Sequence, residues 1–422
     1  MALRVEIVSR ETIKPSSPTP KSRRIHRLSI LDQVVLNLYV PVVLFYSDPS
    51  TTPEERSDRL KESLSKTLAQ MYLIAGRVKD QYSIRGNDQG VRYIRARVLE
   101  DLSTVLKHPK IDLLGQLLPS YNAQAILSIQ VTSFPCGGMT IGLGFRHAIF
   151  DESSIYTFVR NWASIARGDN INTDEVFFVD CTLMFPPQDV KMLHTWNKEL
   201  FTKAIVTKRF VINASEIASL RENGTNASLT QPTRLEAVST FIWAAVISAT
   251  RHRKVKTHRL FTAVDLRERM DPPLPPHSVG NMVQMTGAQW DASEKTVDYK
   301  VLVERVRESR QLVSDDYVRK LHADGEYFKQ FRQALEMTGE SEEVFTLSTS
   351  SWCGFPLFGA AHFGWGKPTL IGIGMKLLNA AIIMDARDDE GIEAWVGLLK
   401  EDMGRLEQDS DFLAYVSSSQ TL

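Results

Sequence analysis

Two stretches of this 422-residue sequence set an imidazole four residues ahead of a carboxylate: HAIFD, from His147 to Asp151, and HPKID, from His108 to Asp112. A histidine with one ring nitrogen unprotonated takes a proton from a hydroxyl nucleophile and later hands it to a leaving group. Acyl transfer onto an alcohol is a reaction of that kind, and it also needs stabilisation of a tetrahedral oxyanion. The spacing alone decides little, because nine histidines give about half a match to HxxxD by chance. Context separates the pair. MTIGLGFRH reads as a strand that ends at His147, and strand-to-loop transitions expose side chains at domain clefts. His108 stands before a proline in a polar stretch with no strand leading into it, so it is assigned to the surface.

Asp151 has two readings. It sits where the N-cap of the following helix belongs, with Arg267 or Arg269 as an ion-pair partner, or it takes a direct part in the chemistry. His147 by itself would be read as structural, as most histidines are. A third stretch, AHFGWGKP from Ala361 to Pro368, changes that balance. It sets Gly364 and Gly366 around Trp365 and closes with proline, the composition of a tight loop whose backbone approaches something closely. Such a loop is a turn buried by Trp365, the wall of a cleft, or both. Cys353, after Trp352 in an apolar strand and with no adjacent base, reads as a small buried residue rather than a hydrolase nucleophile.

The elements that must position these residues are legible as alternating patterns. Residues 54 to 71 put Leu60, Leu64, Leu68 and Met71 on one helical face. Around them RLSILDQ and the apolar run to Tyr46 read as extended, and YSIRGNDQGVRYIRARV as a hairpin turning at GNDQG. After Asp151 the apolar positions Ile155, Phe158, Val159 and Trp162 predict a helix that stops at Gly168. Periodicity fades from about 170 to 207. The second half repeats the recipe: strand KRFVI, helix RLEAVSTFIWAAVISATR, strand HRLFTAVDLRER, helix DYKVLVERVRESRQLVSDD, strands around FTLSTSSW and LLNAAIIMDAR, and a closing helix near GIEAWVGLLKEDMGRLEQ. Two α/β domains are expected, residues 1–190 and 207–422, joined by a crossover loop at 191–206 and sharing a cleft.

Composition bounds the task. With 43% hydrophobic and 24% charged residues the chain supports two cores. Lys+Arg and Asp+Glu both total 50, which leaves no global field for nucleic acid or an anionic membrane. Cys136, Cys181 and Cys353 are three and widely spaced, so neither a disulfide framework nor a metal site is expected. The opening MALRVEIVSRETIK has charges where a secretory apolar core would lie, and the longest apolar run, from Val34, is broken by Asn37 and Pro41. A cytoplasmic protein with no membrane partner is the expectation.

HAIFD near residue 150 and HFGWGKP near residue 365 together make the sequence resemble the plant BAHD acyltransferases, whose signatures are HxxxD and DFGWG. LDQ at Leu31 to Gln33, IAGR at Ile74 to Arg77, CGG at Cys136 to Gly138, SSWCGFPLF and PPLPPHSVGN at Pro272 to Asn281 match in the family's order from end to end. The SPTP start, the CGG and LRERMDPPLP look closest to the vinorine synthase-like branch. The resemblance implies two chloramphenicol acetyltransferase-like domains, each a mixed sheet flanked by helices, with a channel at their interface. It implies His147 as general base within that channel, Asp151 turned away and fixed through an arginine, and Phe363, Gly364, Trp365 and Gly366 shaping the channel. It further implies acetyl-CoA as co-substrate, a small alcohol such as an alkaloid or terpenoid as acceptor, and a monomer. For CoA, the helix opening at Thr233 and Arg234 offers amides, a hydroxyl and a guanidinium to phosphate, while Ser351 and Trp352 match a position near the pantetheine arm. A helix cap and a core tryptophan explain these residues equally well. Two departures stand out: His362 replaces the motif's aspartate, and Glu152 the glycine often found after HxxxD. A condensation domain of related fold would need a histidine where Arg146 stands. Two further readings stay open: a relative that binds without catalysing, for which His362 is the hint, and an enzyme that uses another acyl donor or a phenolic acceptor.

Overall fold

The computed structural model describes residues 2–35, 37–47, 51–122, 124–169, 176–190, 204–225, 230–275, 277–338 and 343–418. Among these, one mixed sheet runs in the order Val5–Ile13, Val91–Val98, Leu127–Ser133, Met139–Arg146, Tyr39–Tyr46, Leu370–Ile373. The central strand Met139–Arg146 is buried along its whole length and delivers the chain to His147. Two helices cover this sheet. Pro53–Gln70 starts with proline in its first turn behind a Thr52/Glu55 capping box and buries Leu60, Leu64 and Leu68. Glu152–Arg167 ends where Gly168 turns left-handed at φ 81°. The helices are joined through Trp162, whose indole N–H donates to the Leu60 carbonyl and the Ser63 hydroxyl, each at 3.1 Å.

A second mixed sheet has the order Val283–Asp291, Thr257–Asp265, Val344–Ser351, Ala380–Asp385, Ile392–Leu399, Ile205–Ile212, Ser417–Ser418, with helix Arg234–Thr250 in the core beside it. The fold is thus α/β with two sheet-containing halves. The halves exchange material: Leu370–Ile373 pairs antiparallel with Tyr39–Tyr46, Leu370 opposite Phe45, and Trp352, Phe358, Phe363 and Trp365 join the first core. Of the expected crossover, residues 191–203 lie outside the described residues, and the strand that follows begins at Ile205. No helix among the described residues is long and apolar enough to cross a membrane.

Three expectations are corrected. Within RLSILDQ, Ile30–Gln33 is a short helix closed by a Ser29/Asp32 capping box, a local polar signal that outweighs the apolar run. The expected hairpin does not form: Ser83–Arg85 pairs with Ile25–Arg27 and Arg77–Asp80, whereas Val91–Val98 joins the large sheet. Asp88 and Gly90, at φ 54° and 85°, swing the chain from one sheet to the other, and a Cβ at Gly90 would meet the Ile13 carbonyl at 2.4 Å. The closing helix is confined to Lys400–Leu406, because Ile392–Leu399 is a strand between Ala380–Asp385 and Ile205–Ile212.

Candidate active site

His147 follows strand Met139–Arg146 directly, with its N–H donated to the Leu38 carbonyl at 2.9 Å. Its Nδ1 lies 2.9 Å from Asn281 Oδ1. The orientation of that amide is fixed, because Asn281 Nδ2 donates to Asp32 Oδ1 at 3.0 Å and to the His147 carbonyl at 2.6 Å. Oδ1 must therefore accept, and the ring hydrogen sits on Nδ1. Nε2 is left with a lone pair and no hydrogen bond to any described residue. The ring is half-buried. Burial pushes its pKa below the usual 6.5, against the pull of the Asn281 bond and the Asp151 and Asp32 carboxylates. Asp32 is itself held by the Ser29 N–H and hydroxyl at 2.9 and 2.7 Å and by the Asn281 N–H at 3.0 Å; burial nonetheless raises its pKa. Sequence reasoning gives neither Asn281 nor Asp32 a role. LDQ and SVGN mark the positions without saying that they meet.

Asp151 is 1% exposed and fully engaged. Oδ1 accepts from the Ser154 N–H at 2.9 Å and hydroxyl at 2.7 Å, and Oδ2 from the Met282 N–H at 3.1 Å. Arg267 bridges both oxygens, Nη1 to Oδ2 at 2.9 Å and Nη2 to Oδ1 at 3.1 Å. The guanidinium also contacts Asp265 at 3.0 Å and donates to the carbonyls of Ser278 and Gly280. Cap and ion pair are thus both made by this carboxylate. Arg269 is the correction here: its Nη1 donates to the Arg310 and Val313 carbonyls rather than to Asp151, because the chain turns after Leu266. Glu152 lies beside the pair, and burial with the neighbouring Asp151 charge pushes its carboxyl up to about 8. His108 is exposed. Burial pushes the Cys353 thiol up to about 12, which removes it as a nucleophile.

The HFGWG loop packs against the far end of the helix that starts at Glu152. Phe363 meets Trp162 edge-on at 4.8 Å and stacks on Trp365 at 5.8 Å; Tyr46 donates its hydroxyl to the Ala361 carbonyl at 2.7 Å. Gly364 stands at φ 108°, where a Cβ would also lie 2.8 Å from Arg59 Nη1. Arg59 can move; the backbone angle cannot be relieved so easily. Gly364→Ala is expected to cost about 1–3 kcal/mol, read as a lower melting temperature.

The residues expected to hold CoA have other work. Thr233 caps its helix by accepting from the Glu236 N–H. Arg234 donates to the Glu390 and Gly391 carbonyls at 2.7 and 2.9 Å and lies 3.5 Å from Asp385, so its guanidinium is committed to the loop at 389–391. Trp352 is 5% exposed and lines a hollow of about 10 Å³, barely one water. Ser351, half-buried at a strand end, accepts from the Cys353 N–H. Among the described residues no group of three or more His, Cys, Asp or Glu is arranged to hold a metal.

A family model described as the transferase family matches residues 3–413. Limonoid 21-O-acetyltransferase of Melia azedarach is 41% identical over the full length of both chains, and stemmadenine O-acetyltransferase of Catharanthus roseus is 32% identical over 99% of each. The crystal structure of vinorine synthase superposes with a TM-score of 0.82 at 31% identity, covering 99% of this chain and 100% of that one. The chain belongs to this transferase family, the BAHD acyltransferases, in its vinorine synthase-like branch. It is an acyltransferase enzyme.

Proposed function

We propose that this protein transfers acetyl from acetyl-CoA to a hydroxyl of a specialised terpenoid or alkaloid alcohol, by direct general-base catalysis at His147. The observation that carries the reading is the ring itself: Nδ1–H held by Asn281, and Nε2 without a partner among the described residues. Nε2 takes the proton of the acceptor hydroxyl as its oxygen attacks the thioester carbonyl. On collapse the same nitrogen returns the proton to the departing CoA sulfur, so no acyl-enzyme is needed. Asp151, Arg267 and the HFGWG loop fix the surroundings without touching substrate. Of the four residues expected to meet CoA, Thr233 and Arg234 are engaged within the protein, which leaves Ser351 and Trp352 as the pair proposed to meet the pantetheine arm. Limonoid and stemmadenine acetyltransferases among the relatives favour acetyl as donor and a polycyclic alcohol as acceptor. The equal charge totals fit small-molecule partners, and the protein is proposed to work as a cytoplasmic monomer.

Free CoA release from acetyl-CoA by purified protein, measured over a panel of terpenoid, alkaloid and phenolic alcohols, tests the assignment. Turnover is expected with one of the first two groups; binding without CoA release under every acceptor and acyl donor would leave a non-catalytic binder instead. Because burial lowers the His147 pKa, the base is already neutral at pH 7. kcat/KM is expected to fall on the acid side with a midpoint lower than that of a free imidazole and, well below that midpoint, by about tenfold per pH unit.

A further inference from the structure

The one departure inside the second motif, His362, is explained by a single contact. The Gly364 N–H donates to His362 Nδ1 at 3.0 Å, a bond from a backbone amide to a side chain two residues earlier. Asp and Asn close such turns with Oδ1. Nδ1 of histidine stands as many bonds from its Cα as Oδ1 does, so the imidazole presents an acceptor at the same reach without the charge. The geometry also fixes the tautomer, since Nδ1 accepts only when the ring hydrogen is on Nε2.

The turn has a consequence at each end. Gly364, at φ 108°, adopts an angle that favours glycine, and its tethered amide holds that conformation. The His362 carbonyl accepts from Arg167, which is further bound to Asp169 and, at 3.0 Å, to Ser164. Arg167 is the last residue of the helix whose N-cap is Asp151. Between the two fastenings Phe363 is fully buried and Trp365 nearly so, with the Arg59 guanidinium 5.9 Å over the Trp365 ring. The loop is therefore pinned to the distal end of the rod that carries the His147 loop at its near end.

We propose that His362 is a positioning residue that acts as an uncharged hydrogen-bond acceptor, its Nδ1 closing the turn that seats the HFGWG loop on the helix Glu152–Arg167. A negative charge at this position is not required in this chain. The inference rests on the transferase reading for its activity arm, but its melting-temperature arm stands alone.

Two substitutions separate the ring atoms. His362→Asn puts an acceptor at the Nδ1 reach, whereas His362→Gln, closer in length to the ring, puts it at the Nε2 reach. His362→Asn and His362→Asp are expected to keep kcat/KM within about twofold of wild type and to melt with it. His362→Ala and His362→Gln are expected to lose about fivefold, mainly through KM, and to melt about one to two degrees lower, the loss of about one hydrogen bond in a chain of this length. Retention by His362→Gln equal to that of His362→Asn would show that bulk, not the acceptor, is what the site uses. An unchanged His362→Ala, or His362→Asn as impaired as His362→Ala, would equally overturn the proposal. His147→Ala is the control: its activity falls by orders of magnitude rather than about fivefold, so a failure of the transferase reading is distinguishable from a failure of the turn.

Discussion

Replacing His147 with alanine is expected to lower kcat by about two to four orders of magnitude, the ordinary worth of a general base, while the protein melts within a few degrees of wild type. The size of the loss follows from the surroundings of the ring. No second group among the described residues stands ready to take the proton. Asp151 has both oxygens occupied by Arg267, Ser154 and the Met282 amide, and Asp32 is held by Ser29 and Asn281. The small effect on stability has its own reason: His147 is half-buried, its backbone bonds to Leu38 and Asn281 survive the substitution, and the one side-chain bond lost is to Asn281. That amide keeps its links to Asp32. Added imidazole should restore part of the rate, because the deleted group leaves a space of its own shape. Near-normal turnover in a folded variant would remove His147 from the chemistry.

Local signals carry much of this site. His147 is legible because an uninterrupted buried strand ends at it, and helix Glu152–Arg167 because an N-cap aspartate, a 3.6-residue apolar stripe and a left-handed glycine are all written in adjacent residues. What sequence leaves open is settled by pairs far apart in the chain. Asn281 and Asp32 are 249 residues apart and act only once a helix and an extended loop are brought together, which no spacing rule reports. Arg267 and Arg269 cannot be told apart by spacing, since both follow the same strand and only the turn after Leu266 decides which faces Asp151. The missed strand Ile392–Leu399 has a related cause. Its run of apolar residues between two partner strands is fully buried except at its end, so alternation is erased and the stretch looks as helical as the segment that follows. Glu152 stands out in the sequence as a departure, but the elevated pKa of its carboxyl comes first from burial and then from the Asp151 and Asp265 charges, which converge there only in space.

The loss of Arg267 should be the most destabilising single change at the site. Arg267→Ala removes the cation that contacts both Asp151 and Asp265, together with donors to the Ser278 and Gly280 carbonyls. Breaking a buried pair by deleting one partner costs about 3–5 kcal/mol, a large share of the stability of an ordinary domain. Asp151→Asn is expected to cost less, because the amide still caps the helix at Ser154 and Arg267 still has Asp265. The pH dependence gives the mechanism away. Asp265 and Glu152 already ionise at a higher pH than free carboxyls, burial being the main cause, and Arg267 is what restrains both. A carboxyl whose folded pKa is raised stabilises the fold while protonated and loses that contribution as pH climbs through the raised value. Without Arg267 the two pKa values rise further, so the deficit of Arg267→Ala relative to wild type should widen as pH climbs past the raised Asp265 value and again, for Glu152, above about pH 8, as read by chemical denaturation from about pH 5 to pH 9. A deficit that stays constant across that range would mean that Arg267 acts through its backbone contacts alone, and that the paired charge behind the His147 loop contributes nothing to holding it.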